Sequence, residues 1–152
     1  MQNLNEKFDV VIVGAGAAGL MCAIQAAKRG KSILIVEHTN KVGEKIRISG
    51  GGKCNFTNLN VSTENFLSKN PCFAASALSQ FDQYDFMSLV NSASISYHEK
   101  TLGQLFCDGS SSQIIAMLMK ELMLENVTIR LSSTIESIEY ENNFILQIEK
   151  TT

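Results

Sequence analysis

At 152 residues the chain has the length of one ordinary domain. Its net charge of −2 and the lack of a basic stretch interleaved with aromatic residues give no indication of nucleic-acid binding. No stretch approaches the roughly 18 apolar residues of a membrane helix, and the N-terminus MQNLNEKFDV lacks the apolar segment of a signal peptide. The cysteines form no C-x-x-C, so we expect free thiols, a cytoplasmic location and no metal site.

The first predicted unit covers residues 8–37 and combines a strand, a glycine-rich turn, a helix and a second strand. Val10–Val13 is an uninterrupted β-branched run, which is typical of a parallel strand buried on both faces. Three glycines in a G-x-G-x-x-G arrangement follow it: Gly14, Gly16 and Gly19. A helical segment ends near Gly30. The strand Ile33–Val36 then leads into Glu37, eighteen residues after the last of the three glycines.

This order of elements predicts a dinucleotide-binding βαβ unit. Gly14 permits the tight turn, Gly16 lets the backbone approach a pyrophosphate, and Gly19 lets the helix pack closely on the strand. The helix N-terminus offers unpaired N–H groups and a partial positive charge to the phosphates. Glu37 can accept hydrogen bonds from both ribose hydroxyls and would repel a 2′-phosphate, which favours FAD or NAD over NADP. A P-loop is excluded because no G-x-x-x-x-G-K-[ST] occurs.

Residues 40–60, NKVGEKIRISGGGKCNFTNLN, form the second informative segment. The glycines Gly50–Gly52 stand between Ser49 and Lys53, and three polar residues follow closely: Asn55, Thr57 and Asn58. This composition indicates an ordered loop that brings its backbone close to a ligand, with a flexible linker as the alternative. Lys45, Arg47 and Lys53 make the segment locally positive, which suits an anionic cofactor.

Residues 64–92 predict two helices, and a hairpin is predicted after them. The first helical run is expected to start at Pro71, and the second to begin after Asp82, whose carboxylate would cap its N-terminus. Ile95 to Cys107 alternates loosely, which is typical of a short hairpin. His98 lies within it, and we expect a surface or hydrogen-bonded histidine here rather than a catalytic one.

A strongly amphipathic helix and three strands are predicted in the last third of the chain. Asp108 to Ser110 is expected to cap the helix. Val127–Leu131 predicts a strand, and in the doubly wound order this strand lies outside Ile33–Val36, which lies beside the first strand of the chain. Thr134–Tyr140 and Phe144–Ile148 alternate and predict an antiparallel pair.

Three segments of the chain resemble one protein family: DVVIVGAGAAGLMCAIQAAKRG, KIRISGGGKCNFTN and YHEKTLGQLFCD. They are similar to the YhiN-like (BaiN-like) flavoproteins, which are bacterial FAD-containing oxidoreductases described as aminoacetone oxidases or as reductases of unsaturated steroid-like substrates. The resemblance runs from Phe8 almost to Ile148, and its most specific part is the SGGG-basic-CN-x-TN segment. It implies a Rossmann-like α/β fold that contains a parallel sheet and the start of an antiparallel β-meander. It also implies FAD as cofactor and NAD(P)H as a reductant of the full enzyme.

The resemblance further implies which residues contact FAD. The glycine-rich turn would hold the pyrophosphate, Glu37 the adenosine ribose, and the backbone of Ile135 the adenine edge. The second glycine segment would lie along the pyrophosphate, the ribityl chain and the flavin. The full implied set of cofactor-binding residues is Gly14, Ala15, Gly16, Ala17, Ala18, Gly19, Glu37, His38, Lys45, Ser49, Gly50, Gly51, Gly52, Lys53, Cys54, Asn55 and Ile135. Lys53 replaces the family's usual arginine, which exchanges a planar fork for a point charge. Cys54 is expected to fill a tight loop rather than to act as a redox thiol.

Members of this family are much longer than 152 residues. The resemblance therefore implies that residues 1–152 are the N-terminal part of an FAD-binding domain, without its second FAD motif and substrate domain. We expect the isolated chain to be inactive, and to self-associate or pair with a separately encoded C-terminal half. The leading hypothesis is the FAD-binding portion of a flavin-dependent oxidoreductase. The alternatives are a non-catalytic module that binds nucleotide weakly and, less favoured, an NAD-binding domain. No catalytic residue is predicted.

Overall fold

The computed structural model describes residues 5–122 and 126–150. They form two compact units: the first contains the described residues up to Lys45 and from Leu118 onward, and the second is Ile46–Met117. In chain order, the helices and strands are β1 (Val10–Val13), α1 (Ala17–Ala27), β2 (Ile33–Val36), α2 (Glu44–Ile48), β3 (Asn55–Asn58), α3 (Ala75–Leu78), α4 (Gln83–Ser92), β4 (Tyr97–Glu99), β5 (Gln104–Cys107), α5 (Ser112–Glu121), β6 (Val127–Arg130), β7 (Ser133–Tyr140) and β8 (Phe144–Lys150). Short 3₁₀ turns cover Ser49–Gly52 and Thr63–Asn65.

A three-stranded parallel sheet with the order β1-β2-β6 organises the first unit. Ile33 of β2 lies opposite Val10 on one side and Val127 on the other. All four residues of β2 are buried, as expected for a central strand of a parallel sheet. The predicted strand order, with the strand at Val127 outside Ile33–Val36, is confirmed.

Helix α1 packs on this sheet through apolar side chains at helical spacing: Leu20, Ala23, Ile24 and Ala27. It begins after Gly16, whose backbone is extended, and the chain leaves the helix through Gly30 at φ +71°. Glycine tolerates such a left-handed angle without a steric penalty. The predicted strand, turn, helix and strand of residues 8–37 are therefore all present.

The strands β7 and β8 form an antiparallel pair, as predicted. Ile135 lies opposite Ile148, and the register shifts between Ile135 and Ser137. The rings of Tyr140 and Phe144 face each other across the end of the pair at 5.0 Å between centroids. The shift is a β-bulge, which re-aims the side chains that follow it.

An antiparallel sheet with the order β3-β5-β4 organises the second unit. The central strand β5 is the most buried of the three, with Leu105, Phe106 and Cys107 all in the core. Helix α4 contacts β3, and its N-terminus is capped by Asp82, whose side chain accepts hydrogen bonds from the N–H groups of Tyr84 and Asp85. The predicted cap is confirmed.

Three sequence predictions differ from the structure. Residues 40–60 do not form only a loop, because they contain α2 and β3. The strand β3 reads NFTN and has no apolar alternation, so its pairing with the distant β5 decides its conformation. The helical run expected from Pro71 is reduced to the four residues of α3. Finally, Asp108 to Ser110 was expected to cap the next helix, but α5 begins only at Ser112. Ser111, directly before it, is buried, and its hydroxyl donates to the Arg47 carbonyl at 3.0 Å.

Within the described ranges, no helix combines the length and the apolar character needed to span a lipid bilayer.

Candidate functional site

The glycine-rich turn after β1 has the geometry that its three glycines predict. Gly14 has φ +95°, and its N–H donates to the carbonyl of Val36 at 2.8 Å, which ties the turn to the end of β2. A Cβ atom on Gly19 would lie 2.0 Å from the carbonyl oxygen of Gly14. No side chain fits at that distance, so the close approach of α1 to the turn requires glycine. The structural roles predicted for Gly14 and Gly19 are confirmed.

The N-terminus of α1 is open to an anionic ligand. The N–H groups in the first turn of a helix have no acceptor within the helix. In this helix of 11 residues, no side chain of the described residues caps them. Ala17 and Ala18 in that turn are exposed. A Cβ atom on Gly16 would meet no atom within 4 Å, which leaves space beside the turn. Unpaired N–H groups at the positive end of a helix are a favourable environment for a phosphate or pyrophosphate.

Glu37 at the end of β2 is buried, and its carboxylate is held by the surrounding chain. Oε2 accepts a hydrogen bond from the N–H of Ala15 at 2.8 Å. Oε1 accepts from the N–H and from the hydroxyl of Thr39, both at 2.9 Å. Burial acts to raise the pKa of Glu37, but the hydrogen bonds from Thr39 and Ala15 outweigh it, so the pKa is lowered. The carboxylate is therefore ionised at neutral pH.

This bonding limits what Glu37 can offer to a ribose. A carboxylate has about four acceptor positions, and three of those of Glu37 are occupied by Ala15 and Thr39. One ribose hydroxyl can be added on Oε2 without breaking a bond. Contact with both hydroxyls stays a prediction, and it requires Thr39 to release Oε1. His38 follows with an exposed ring whose Nδ1 lies 3.1 Å from Oε1.

The second glycine segment, in the second unit, is a left-handed turn. Gly50, Gly51 and Gly52 have φ angles of +57°, +64° and +87°, and Cys54 follows at +55°. L-residues pay a steric penalty in this region, which explains why three glycines stand in succession. A Cβ atom on Gly50 would lie 2.6 Å from Cε1 of Phe106, whereas one on Gly51 would meet nothing within 4 Å. Gly50 therefore faces the protein and Gly51 faces open space.

Several hydrogen bonds fix this turn. The N–H of Cys54 donates to the carbonyl of Ser49 at 3.1 Å, and the N–H of Ser111 donates to the carbonyl of Gly52 at 2.8 Å. The ammonium group of Lys53 donates to the main-chain carbonyl of Asp108. The segment is thus an ordered turn, and the flexible-linker alternative is wrong for this structure.

The two buried thiols beside the turn are poor nucleophiles. Cys54 and Cys107 are both buried and unpaired. Burial raises the pKa of Cys54, and burial together with the nearby Cys54 and Asp108 raises the pKa of Cys107 to about 11. Both thiols are protonated at neutral pH, and a thiol reacts as its thiolate. This agrees with the expectation that Cys54 fills a tight loop.

The remaining cofactor residues implied by the resemblance lie at scattered positions. Lys45 is exposed on α2, and Asn55 is exposed at the start of β3. Ile135 is half-buried on β7, two residues after Ser133, whose N–H donates to the carbonyl of Glu37 at 3.0 Å. The roles of these residues toward FAD stay predictions.

One pair of polar side chains was missed by the sequence analysis. Nδ1 of His98 lies 2.6 Å from Oδ1 of Asp108, and both side chains are about half exposed. The residues are ten positions apart, so no local motif joins them. The register of the predicted hairpin could have revealed this pair, because in an antiparallel pair of strands a residue is close to the diagonal neighbours of its partner.

Comparison with known proteins identifies the family. The sequence profile of the HI0933-like protein Rossmann domain matches residues 8–152. Ribosomal RNA dihydrouridine synthase of Escherichia coli K12 is 49% identical over 148 residues, which cover 97% of this chain and 37% of that protein. The Haemophilus influenzae protein of the same name is 48% identical over 153 residues, with 97% and 38% covered. 3-Dehydro-bile acid delta(4,6)-reductase of Clostridium scindens is 28% identical over 132 residues, with 84% and 32% covered.

The chain thus spans about a third of the length of these three curated relatives. Among solved structures, 3-ketosteroid-delta4-(5alpha)-dehydrogenase of Rhodococcus jostii RHA1 superposes with a TM-score of 0.64 at 14% identity, covering 95% of this chain and 43% of that one. THI4 of Thermovibrio ammonificans gives 0.60 at 15% identity, with 94% and 48% covered. At such identities the likeness shows the fold alone, a Rossmann-like α/β fold with a parallel sheet and added antiparallel strands. The profile match and the turn geometry together show that the chain belongs to the HI0933-like family of FAD-dependent Rossmann proteins.

Proposed function

We propose that this chain is the FAD-binding portion of a reductase that saturates a C=C bond conjugated to a carbonyl group, with uridine in ribosomal RNA as the substrate. The observation that carries the proposal is the identity of 49% over 97% of the chain to a protein named ribosomal RNA dihydrouridine synthase. Because the chain spans 37% of that protein, the activity is proposed for the whole protein at its full encoded length.

The proposed chemistry is common to the relatives. Dihydrouridine differs from uridine by two hydrogens across a C=C bond conjugated to a ring carbonyl. The name of the more distant relative, a 3-dehydro-bile acid delta(4,6)-reductase, describes the same kind of reduction on a steroid skeleton. The resemblance also allows an aminoacetone oxidase activity. We assign the reductase chemistry because it agrees with the names of the three curated relatives reported above.

The residues of the chain fit FAD in its pyrophosphate and ribose parts. The open N-terminus of α1 and the free space beside Gly16 suit the pyrophosphate. The ionised Glu37 has an acceptor position for a ribose hydroxyl. The exposed Gly51 presents main chain with open space at its Cα, which suits a flat ring or its ribityl chain. FAD, when bound, supplies the two-electron chemistry, and these residues bind and orient it.

Both units are assigned to one FAD-binding portion, because the family match runs unbroken over residues 8–152. The expectation that the chain does not bind nucleic acid rested on its net charge of −2 and on its lack of a basic stretch interleaved with aromatic residues. Both observations concern this chain alone, which spans 37% of the E. coli relative. A cytoplasmic location, where ribosomal RNA is found, and reduction by NAD(P)H are parts of the same proposal.

The test uses the protein at its full encoded length with FAD, NAD(P)H and unmodified ribosomal RNA. We expect FAD binding with quenching of the flavin fluorescence, and formation of dihydrouridine in proportion to NAD(P)H consumed. The matched control replaces FAD by FMN, which lacks the adenosine that Glu37 would hold, and should give weaker binding. Bound FAD without dihydrouridine would reject the proposed substrate and leave the cofactor assignment intact.

The non-catalytic alternative is separated in the same experiment. A module that only binds nucleotide weakly would not consume NAD(P)H at saturating FAD, whichever substrate is supplied as the electron acceptor. Consumption of NAD(P)H that depends on the acceptor would exclude it.

A further inference from the structure

We propose that His98 and Asp108 form a proton-transfer pair, in which the Nε2 atom of His98 gives the substrate the proton needed when its conjugated C=C bond is reduced. This inference rests on the proposed function, because the pair would donate a proton to a substrate only if such a reduction takes place. The sequence analysis had assigned His98 to a surface or hydrogen-bonded role.

The pairing of β4 with β5 brings His98 and Asp108 together. His98 on β4 lies opposite Phe106 on β5, and the N–H of Asp108 donates to the carbonyl of Ser96 at 2.9 Å. His98 and Asp108 are therefore diagonal neighbours on the same face of the β4–β5 pair. The ring of His98 stacks on that of Phe106 with an interplanar angle of 22° and 6.4 Å between centroids. The strand register thus places the imidazole beside both the Phe106 ring and the Asp108 carboxylate.

The chemistry of the pair fixes which nitrogen carries which proton. An ionised carboxylate only accepts, so the 2.6 Å contact makes Nδ1 of His98 the donor to Oδ1 of Asp108. Nε2 has no hydrogen-bond partner in the stretches 5–122 and 126–150 that the structure describes. The His98 side chain is 52% exposed, so a substrate can reach this atom. The carboxylate stabilises the imidazolium form, which is the form that can donate from Nε2.

The charged groups around the pair are of both signs. Asp108 is the anion in contact with His98. The ammonium group of Lys53 donates to the main-chain carbonyl of Asp108, and that of Lys100 lies 5.2 Å from the centroid of the Phe106 ring. Of these charges, the carboxylate of Asp108 is the one in direct contact with the imidazole.

The pair is also connected to the left-handed glycine turn of the same unit. Phe106, on which His98 stacks, is the residue that a side chain on Gly50 would strike. Lys53, which ends that turn, holds Asp108 through its carbonyl. The resemblance assigns flavin contacts to this turn, so the proton donor lies in the same unit as the segment that is expected to meet the flavin. The buried thiols Cys54 and Cys107 are not exposed to a substrate.

The step balances without a further reagent. Bound FAD, once reduced by NAD(P)H, would supply the hydride for the carbon β to the substrate carbonyl. The α-carbon takes a proton from Nε2 of His98, so the C=C bond becomes a C–C bond with two new C–H bonds. His98 becomes neutral, and its Nδ1–H group still donates to the Asp108 carboxylate. Water then returns a proton to Nε2.

The test compares His98→Gln and Asp108→Asn with the wild-type protein at its full encoded length. We expect FAD affinity and the rate of flavin reduction by NAD(P)H to stay within about twofold in both variants. Dihydrouridine formation should fall about 100-fold or more in His98→Gln, since general acid catalysis contributes that order of rate. Asp108→Asn should slow dihydrouridine formation as well, because an amide can turn its NH₂ group to Nδ1 and no longer keeps that nitrogen a donor.

A second readout does not depend on turnover. ¹⁵N-histidine spectra of the same proteins report the tautomer of each imidazole, and the signals that are missing in His98→Gln are assigned to His98. We expect neutral His98 to be the Nδ1–H tautomer in the wild type, and to lose that preference in Asp108→Asn. A neutral His98 protonated on Nε2 would overturn the inference whatever the activity. The spectra also show whether each variant is folded.

The outcomes separate this inference from the proposed function. A wild type that forms no dihydrouridine removes both. A wild type that is active, with His98→Gln equally active, removes the pair and leaves the proposed function standing. Loss of substrate reduction in His98→Gln, with flavin reduction by NAD(P)H unchanged, supports the pair.

Discussion

Glu37→Gln is the most direct test of the ribose-side geometry. The carboxylate accepts three hydrogen bonds in the folded chain, one from Ala15 and two from Thr39. The amide has one acceptor oxygen, and its NH₂ group must face at least one of these donors. A lost charge-assisted bond costs about 1.5–3 kcal/mol and a buried donor without acceptor about 1–3 kcal/mol. These two costs overlap, because the lost bond is what leaves the donor without an acceptor, so the free energy of unfolding should fall by about 2–4 kcal/mol.

For a chain of this size, that loss corresponds to a fall of roughly 4–16 °C in Tm. Thermal unfolding followed by circular dichroism measures it, with Glu64→Gln as the matched control because Glu64 is exposed. The control should unfold within about 1 °C of the wild type, since exposed substitutions change stability little. Equal Tm values for Glu37→Gln and wild type would refute the account of Glu37 as a residue that holds the turn. Titration with FAD in the same samples should show weaker binding for Glu37→Gln alone.

Three further results are expected. Because the folded-state pKa of Glu37 is lowered, its stabilising contribution is complete above its ordinary pKa of 4.5 and is lost as pH falls through the lowered value; urea unfolding at several pH values should show the wild type and Glu37→Gln converging in acid. Gly19→Ala should destabilise the protein by at least about 1–3 kcal/mol in chemical unfolding, because its Cβ would overlap a main-chain oxygen at 2.0 Å. Gly16→Ala, which meets no atom within 4 Å, should leave stability nearly unchanged, and equal losses would contradict the packing argument. Iodoacetamide at neutral pH should label the exposed Cys22 and spare the buried Cys107, whose pKa is about 11, as read by mass spectrometry; rapid labelling of Cys107 in the folded protein would show that its burial is wrong.

Local patterns were enough to predict the first unit. The apolar run of β1, the three glycines and the helical spacing after them are each encoded within a few residues, so β1, α1 and β2 were found with their bounds nearly correct. The position of β6 outside β2 followed from the rule for doubly wound sheets rather than from the residues of β6 themselves.

The second unit was harder to predict because non-local pairing decides it. The polar sequence of β3 becomes a strand only because β5, almost fifty residues later, pairs with it. The same non-local register brings His98 to Asp108. The bonds from Ala15 and Thr39 to Glu37 were also unforeseen, since the acid was expected to face a ligand and its hydrogen bonds to the protein depend on the turn's final shape.

The left-handed turn at Gly50, Gly51 and Gly52 has a consequence for how this segment can vary. Alone among the encoded amino acids, glycine is achiral, and every L-residue at these φ angles incurs about 1–2 kcal/mol of strain. A base change at the first or second position of a glycine codon yields an L-residue or a stop, so such a mutation at any of the three positions adds this strain. A D-residue has the opposite preference, and D-alanine placed at Gly51 by chemical ligation would favour the backbone angle that L-alanine resists. The handedness of the L-amino acids thus makes glycine the encoded residue that fits these three positions without strain.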